Sequence, residues 1–235
     1  MIFSLRFMKV GVLFSGGKDS CLALHKVLQE GHEVKYLLNI YPKNQDSFMF
    51  HKQDLGLLNV QAKRLGIKIV SVKSEGIEGK ELKDLRKLIG EIKGNVEGIV
   101  VGGIASSYQG KRVKKICDDL NLKFVAPLWD YEPEKLWEEL FVEGFEVIMI
   151  KIACEGIDGS WLGRVINREN FEELKKLTKK YKFRLDFEGG EAETTILMMP
   201  EYSERIEIDF DVENEGEYRH LMKNIKVKKL KFTNG

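Results

Sequence analysis

The feature that most constrains this chain is a short polar loop, residues 15–20 (S-G-G-K-D-S), which stands between an apolar run and an amphipathic segment. The apolar run, residues 8–14, predicts a buried β-strand, and the spacing of Cys21, Leu24 and Leu28 predicts one face of a helix. A turn from a strand into a helix directs free backbone N–H groups, and the positive end of the helix dipole, at whatever lies in front of it. Two adjacent glycines let the main chain approach a bulky anion, and a lysine and two serines add donors. The loop therefore predicts a site for a phosphate or pyrophosphate group.

The spacing of the loop excludes the two most common glycine-rich phosphate loops. It contains neither G-x-x-x-x-G-K-[ST] nor G-x-G-x-x-G. It instead resembles the PP-loop, S-G-G-x-D-S, of the ATP pyrophosphatases, which cut ATP between its α and β phosphates. The alternative, an ordinary tight turn with serine caps, accounts less well for the agreement of all six residues with the strand before them and the helix after them.

Strand and helix patterns alternate from residue 8 to about residue 125. Further buried strands are predicted at 34–40, 67–72, 96–101 and 124–125, with helices between them. This alternation predicts an α/β fold, a doubly wound parallel sheet covered by helices on both faces. With the PP-loop resemblance, the expected fold is adenine nucleotide α-hydrolase-like. Loops that follow the strands should converge beyond the carboxyl ends of the sheet, where such folds bind ligands.

The pattern changes beyond residue 125, where the chain becomes richer in strand. The strands predicted at 205–212 and 225–230 alternate apolar with charged residues, which is typical of antiparallel strands with one face in water. We therefore predict two domains, a PP-loop ATP-binding domain at 1–125 and a smaller α+β substrate-binding domain at 126–235. The exposed strands of the second domain could pair across a homodimer.

Composition argues against several classes of function. With 38 Lys and Arg against 37 Asp and Glu, the formal charge is +1, so no global basic field indicates nucleic acid. No apolar run reaches the roughly 18 residues that a membrane span needs. The three cysteines form no C-x-x-C pair, which argues against a disulfide framework and a zinc site. We expect a cytoplasmic protein without a membrane or nucleic-acid partner.

A second unusual segment, residues 188–194 (E-G-G-E-A-E-T), carries three carboxylates within six residues. It lies between a strand-like stretch, residues 183–187, and the apolar run 195–199. Like charges at this spacing repel one another, and they usually need a cation, an arginine or an amine substrate nearby. An acidic hairpin turn in open solvent, where the repulsion is screened, accounts for the pattern equally well. Physical reasoning alone leaves both interpretations open.

Three motifs together carry a more specific resemblance. They are the loop 15–20, the segment 103–109 (G-I-A-S-S-Y-Q) with Arg112, and the acidic segment 188–194. Together they resemble the diphthine–ammonia ligase (diphthamide synthetase) family of PP-loop ATP pyrophosphatases, in its compact archaeal form. The resemblance covers essentially the whole chain. Ala192 departs from it, because relatives commonly carry an aromatic residue at that position.

The resemblance implies an ATP-dependent ligase that forms a C–N bond. The carboxylate of diphthine, a modified histidine on the translation elongation factor, would be adenylated with release of pyrophosphate, and ammonia would then displace AMP. Adenylation replaces oxide, a poor leaving group, by a phosphate leaving group. The implied cofactors are ATP and Mg²⁺, and the implied partners are the diphthine-bearing elongation factor and ammonium.

The resemblance also implies roles for individual residues. The predicted catalytic set is Lys18, Asp19, Arg112, Glu188, Glu191 and Glu193. The β and γ phosphates are expected on Ser15, Gly16, Gly17, Lys18 and Ser20. Asp19 is expected to bind Mg²⁺, which prefers hard oxygen ligands, and Arg112 to neutralise phosphate charge. The three glutamates are expected to face the second substrate, whose trimethylammonium group, like ammonium, suits an acidic pocket. Further nucleotide contacts are expected from His51, Gly103, Ser106, Tyr108 and Gln109.

Three other functions remain open at this stage. A PP-loop enzyme that modifies tRNA would commonly carry cysteine pairs or a strongly basic surface, which this sequence lacks. A non-catalytic ATP-binding sensor would leave the acidic segment without a purpose. A ligase fed by its own glutaminase would need a Cys/His pairing, and the sequence suggests none.

Overall fold

The first half of the chain is built on a five-stranded sheet. The computed structural model describes residues 7–42, 54–76, 80–103 and 107–228. The strands of this sheet are β1 (Lys9–Leu13), β2 (Glu33–Pro42), β3 (Lys68–Ser74), β4 (Gly98–Val100) and β5 (Lys123–Val125). All are parallel, in the order β3-β2-β1-β4-β5. The predicted parallel sheet is confirmed, and β1, which leads into the phosphate loop, lies at its centre.

Helices cover this sheet on both faces, as predicted. They are α1 (Lys18–Gln29), α2 (Leu55–Leu65), α3 (Lys80–Ile92) and α4 (Ser107–Asp119). Neighbouring residues of one strand enter opposite cores: Leu37 packs with α1 and α2, and Leu38 packs with α3 and α4. Strands buried on both faces have continuous apolar runs, which explains why the sequence predicted them. None of the helices in the described ranges is long and apolar enough to cross a membrane.

The second half of the chain is built on an antiparallel sheet. Its helices are α5 (Pro133–Val142) and α6 (Arg168–Tyr181), and its strands are β6 (Glu146–Ala153), β7 (Val165–Ile166), β8 (Ala192–Met198), β9 (Ile208–Asn214) and β10 (Arg219–Val227). β6 pairs with β7, β8 and β10, and β9 pairs with β10. The predicted antiparallel arrangement is therefore confirmed.

The stretch 183–187, which looks strand-like in sequence, forms turns instead. Lys182 ends α6 in the left-handed conformation with a φ of 64°, and Phe187 has a φ of 60°. The N–H of Phe187 donates to the carbonyl of Arg184 at 3.2 Å, which closes a turn. Phe183 and Phe187 are both buried. Two buried phenylalanines at the ends of a turn have the same spacing as apolar residues on one face of a strand. This spacing is why the sequence wrongly predicted a strand here.

One apolar core joins the two halves of the chain. The ring of Trp137, which is fully buried, lies 5.4 Å from that of Phe171 and 6.0 Å from that of Phe187. The same core reaches Leu22 and Leu24 of α1. The second half therefore covers the face of the parallel sheet that carries α1 and α2. This packing brings β8 next to the loop at the end of β1. The division into domains at residue 125 stays a prediction.

Candidate active site

The predicted phosphate loop connects β1 to α1 at the centre of the parallel sheet. Its two serines fix its shape. The N–H of Ser15 donates to Ser20 Oγ at 3.3 Å, and the two hydroxyl oxygens are 3.1 Å apart. The N–H of Gly17 donates to Ser15 Oγ at 3.3 Å. Ser15 is exposed and Ser20 is buried, so Ser15 can face a ligand while Ser20 supports the loop from within the protein.

Gln61, which sequence reasoning missed, holds the loop from α2. Its Nε2 donates to the carbonyl of Gly16 at 3.0 Å and to that of Ile196 at 2.9 Å, and lies 3.2 Å from Thr195 Oγ1. Gly16 has a φ of 74°, and a Cβ there would lie 2.0 Å from Gln61 Oε1. Gln61 occupies the buried face of α2 beside Leu58. A polar residue on the apolar face of a helix needs buried hydrogen-bond partners, so the position of Gln61 in the sequence could have indicated such a contact.

Two further glycines let neighbouring strands approach the loop. A Cβ on Gly17 would lie 3.0 Å from the carbonyl oxygen of Thr194 in β8. A Cβ on Gly102, which follows β4, would lie 2.6 Å from the carbonyl carbon of Asp19 in the first turn of α1. The loop is therefore enclosed by β8 and by the end of β4; a side chain at Gly102 would collide with the backbone of α1, and one at Gly17 would be tight against β8.

The side chain of Lys18 is directed at the second half of the chain. Lys18 is 2% exposed, and its amine donates to the carbonyl of Asp186 at 2.6 Å and to Asp19 Oδ2 at 2.9 Å. The amine also lies 5.4 Å from the ring centroid of Phe187. The backbone N–H of Lys18 donates to Thr194 Oγ1 at 3.2 Å. The amine uses two of its three donors on Asp186 and Asp19, and its predicted contact with phosphate stays a prediction.

The carboxylate of Asp19, the predicted metal ligand, lies at the start of α1. Its Oδ1 is buried and has no hydrogen-bond partner among the described residues. Burial raises the pKa of Asp19 by more than the neighbouring Lys18 lowers it. In the described ranges, no group of three or more His, Cys, Asp or Glu residues could hold a metal ion alone. One carboxylate oxygen beside a phosphate loop fits Mg²⁺, which usually binds through one or two carboxylates and substrate phosphates.

The carboxylates of the acidic segment have different neighbours. Glu193 Oε1 lies 2.6 Å from the amine of Lys151, which faces it on β6. Glu191 Oε1 accepts a hydrogen bond from the N–H of Arg184 at 3.1 Å, so this carboxylate folds back on its own turn. Glu188 is half-buried at the start of the segment. Their predicted contact with the second substrate stays a prediction, and only Glu193 reaches the cavity described next.

A cavity of about 290 Å³ lies between α2 and the antiparallel sheet. We call it the interface cavity. Its lining consists of Tyr41, Asp54, Leu55, Ile150, Lys151, Glu193, Arg219, Leu221, Met222, Lys223, Asn224 and Ile225. Glu193 precedes Thr194, whose hydroxyl contacts the loop. The phosphate loop and the interface cavity therefore share β8 as a common wall.

The segment after β4 approaches the loop from the other side. Gly103 follows the tightly packed Gly102, and the predicted contacts Tyr108 and Gln109 lie in the first turn of α4. Arg112 is half-buried one turn further on. The predicted nucleotide contacts His51 and Ser106 lie outside the described residues.

Asp186 is a second site residue that sequence reasoning missed. Its side chain is 1% exposed and accepts two hydrogen bonds from the guanidinium of Arg184, one of them 2.8 Å long. The N–H of Glu188 also donates to it at 3.0 Å. Burial raises the pKa of Asp186, but the hydrogen bonds from Arg184 and Glu188 outweigh it, and the net pKa is lowered. Asp186 therefore fixes the turn from which the acidic segment starts.

The fold and this loop together define the class of the protein. A loop of sequence S-G-G-K-D-S, at the carboxyl end of the central strand of a parallel sheet and at the start of a helix, is that of a PP-loop α/β protein. Two family models cover most of the chain. The model described as the diphthamide synthase N-terminal domain matches residues 8–124, and the one described as the diphthamide synthase C-terminal domain matches residues 132–231.

Curated relatives give the same family. The chain is 35% identical over 224 residues to the diphthine–ammonia ligase of Homo sapiens and 34% identical over 224 residues to that of Rattus norvegicus; each alignment covers 86% of this chain and 83% of the relative. That of Schizosaccharomyces pombe is 34% identical over 217 residues, which are 85% of this chain and 36% of the relative. The chain therefore belongs to the diphthine–ammonia ligase family, and the resemblance is confirmed.

A solved structure is also similar in part. It is that of a predicted subunit of tRNA methyltransferase from Methanocaldococcus jannaschii, at 18% identity and a TM-score of 0.43. The match covers 82% of this chain and 98% of that chain. This likeness is too low to bear on function.

Proposed function

We propose that this protein is an ATP-dependent ligase that amidates diphthine to diphthamide on the translation elongation factor. Membership of the diphthine–ammonia ligase family over both halves of the chain supports this activity. The observation that carries the proposal is the hydrogen bond between the N–H of Lys18, in the phosphate loop, and Thr194, in the acidic motif. The phosphate loop and the acidic segment, two of the three motifs that carry the family resemblance, are in direct contact at the carboxyl end of β1.

In the first step, a carboxylate oxygen of diphthine attacks the α-phosphorus of ATP. The bond from this phosphorus to the bridging oxygen breaks, and pyrophosphate leaves. The amides of the loop, the exposed hydroxyl of Ser15 and the N-terminal end of α1 stabilise the charge on the departing group. Asp19 would hold Mg²⁺ together with phosphate oxygens, and this ion supplies further charge neutralisation. Arg112 and the α4 residues would act on the opposite side of the phosphates.

In the second step, the nitrogen of ammonia attacks the acyl carbon of the adenylate. The carbon–oxygen bond to AMP breaks, and the amide forms with loss of one proton. The work of the protein is to hold the reactants in line and to exclude water from the adenylate. We place the diphthine side chain in the interface cavity, with Glu193 beside its cationic group. Glu188 and Glu191 are proposed to act at the mouth of the same site.

Three further features belong to this proposal. Free ammonium is the nitrogen donor, and the enzyme acts in the cytoplasm. Two copies associate through the strands of the second half. Among the described strands, β9 pairs only with β10, so its other edge can bind the same edge of a second copy. Sedimentation that shows a monomer at micromolar concentration would refute the association alone.

An end-point assay tests the proposed reaction. The protein is mixed with Mg²⁺-ATP, ammonium and diphthine-bearing elongation factor, and each component is left out in turn. We expect AMP and pyrophosphate only when the diphthine-bearing factor is present, and a mass change of about one unit on that factor, the difference between a carboxylic acid and its amide. Release of ADP and phosphate would contradict the PP-loop chemistry. AMP formation with tRNA instead of the factor would move the protein to the tRNA-modifying class.

A further inference from the structure

Lys18 contacts both ends of the acidic segment. Its amine donates to the carbonyl of Asp186, two residues before the segment, at 2.6 Å, and its backbone N–H donates to Thr194 Oγ1, at the end of the segment, at 3.2 Å. The stretch between these contacts, residues 187–193, carries all three carboxylates. One residue of the phosphate loop therefore holds the acidic segment at its two ends.

The contact at Asp186 is strong because it is buried and charge-assisted. An ammonium group that is 2% exposed is costly to bury unless hydrogen-bond acceptors surround it. The carbonyl of Asp186 and the carboxylate of Asp19 supply two acceptors, and the ring of Phe187 adds a cation–π contact at 5.4 Å. Moving this amine onto a phosphate would leave the carbonyl of Asp186 without its donor.

The accepting turn is itself rigid. Two hydrogen bonds join the guanidinium of Arg184 to the carboxylate of Asp186, and Phe187 is locked at a positive φ with its ring in the core. A hydrogen bond from Lys18 to this rigid turn therefore fixes where the whole turn lies relative to the phosphate loop. The position of the amine thus determines where the acidic segment begins relative to the phosphate loop.

The contact at Thr194 is supported by the adjacent backbone. The carbonyl of Gly16 accepts hydrogen bonds from the N–H of Ile196 at 3.1 Å and from Thr195 Oγ1 at 3.3 Å. This end of the segment is therefore joined to the loop by several bonds. The Asp186 end has its own anchors in Arg184 and in the buried ring of Phe187, and the Lys18 amine is the hydrogen bond that ties this end to the phosphate loop.

We infer that Lys18 is a positioning residue, whose amine aligns the acidic segment with the phosphate loop and does not bind phosphate. That diphthine is the acceptor substrate rests on the function proposed above, whereas the alignment of the acidic segment with the loop does not. Loss of the amine should leave the nucleotide site intact and misplace Glu193 and the interface cavity beside it. The defect should therefore fall on the acceptor and spare ATP.

The first test is Lys18→Met, which keeps most of the side-chain volume and removes the charge. Hydrogen exchange of the amides in residues 187–193 should become at least tenfold faster, and the Kd for Mg²⁺-ATP should change less than threefold. Lys26→Met is the matched control, because Lys26 is a partly buried lysine of the same helix whose partners are Glu139 and Tyr131. It should alter neither quantity. Unchanged exchange in Lys18→Met, or a rise in the ATP Kd above tenfold, overturns the inference.

A second variant keeps the test decisive if Lys18→Met does not fold. Lys18→Gln removes the charge and keeps an N–H donor among the same buried acceptors. We expect faster exchange in residues 187–193 than in the wild type, about a tenfold loss in kcat/KM for the acceptor, and an unchanged KM for ATP. Unchanged exchange, or a loss for ATP as large as that for the acceptor, overturns the inference. A wild-type protein that does not act on diphthine would refute the proposed function, while exchange and ATP affinity would still test the alignment.

Discussion

The phosphate loop and the acidic segment are held in shape by different means. The loop takes its conformation from its own residues, since Ser15 and Ser20 bond to each other and to loop amides and Gly16 supplies a positive φ, and Gln61 then secures it from α2. The acidic segment is shaped by residues far away in the chain. Lys18 is 168 positions from Asp186, and Lys151 is 42 positions from Glu193. The conformation of such a loop can be predicted from a short motif, whereas the partners of the acidic segment cannot.

Gly16→Ala should have the largest effect of the substitutions considered, because it disturbs the phosphate loop at its tightest point. A left-handed conformation costs an alanine about 1–2 kcal/mol. The new Cβ would also lie 2.0 Å from Gln61 Oε1, which forces Gln61 out of its buried hydrogen bonds at about 1–3 kcal/mol. We expect a loss of about 3 kcal/mol in the free energy of unfolding, measured by urea denaturation.

Gly31→Ala is the matched control for this substitution. Gly31 also has a positive φ, of 84°, but nothing lies within 4 Å of a Cβ there. Its loss should be the conformational cost alone, about 1–2 kcal/mol. In a Gln61→Ala background, Gly16→Ala should cost no more than Gly31→Ala. Full additivity of the Gly16 and Gln61 substitutions would show that the predicted clash is absent.

Gln61→Leu should have the second largest effect, because Gln61 joins the two regions. Leucine fills a similar space but offers no donor to the carbonyls of Gly16 and Ile196, and an unsatisfied buried acceptor costs about 1–3 kcal/mol. We expect a loss of about 2 kcal/mol in the free energy of unfolding. Gln29→Leu, on the surface of α1, is the control and should stay within about 0.5 kcal/mol. If Gln61→Leu lowers the free energy of unfolding by no more than this control does, the loop needs no support from α2.

The same difference explains what could be predicted from sequence. The parallel sheet, its helices and the position of the loop follow from apolar periodicity and from glycines, which act within a few residues. The partners of Lys18 could not be predicted, because no local pattern indicates which carbonyl a lysine will reach. The turn at Phe187 was mistaken for a strand because a buried residue at each end gives the same alternation. Gln61 was detectable in principle as a polar residue in an apolar stripe.

Asp186→Asn should weaken the acidic segment by about 1–2 kcal/mol at neutral pH, since it removes a buried charge from its pair with Arg184. The pKa of Asp186 is lowered in the folded protein, so its stabilising effect is present above the unfolded pKa, about 3.9. That effect is lost as the pH falls through the folded pKa. The difference in unfolding free energy between wild type and variant should be constant from about pH 6 to 8 and shrink below about pH 4.

Asp118→Asn provides the control for this pH dependence. Asp118 pairs with Lys114 on the exposed surface of α4, and both side chains are more than half exposed. Its effect should be about 0.3–0.5 kcal/mol near neutral pH. If the difference in unfolding free energy between wild type and Asp186→Asn stays the same down to about pH 2.5, Asp186 does not carry the negative charge assigned to it.

The pair of Lys151 and Glu193 should have the smallest effect on stability and a much larger one on activity. Their side chains are 21% and 15% exposed, and partly solvated ion pairs contribute about 0.2–1 kcal/mol. A double-mutant cycle of Lys151→Met and Glu193→Gln should give a coupling in this range that falls as NaCl is added. Glu193→Gln should nevertheless reduce kcat/KM for the acceptor about tenfold, a ratio that corresponds to about 1.4 kcal/mol in transition-state binding.

The contrast between the small effect of Glu193→Gln on stability and its large effect on activity decides whether the acidic segment is a structural region or part of the active site. A residue placed for stability loses activity only in proportion to the fraction of protein that unfolds, and a loss below 1 kcal/mol leaves a protein of ordinary stability almost entirely folded. A tenfold loss of acceptor turnover in a fully folded Glu193→Gln variant would therefore come from the site itself. Equal losses for ATP and for the acceptor would instead place Glu193 at the nucleotide. In that case the phosphate loop and the acidic segment would form a single nucleotide site.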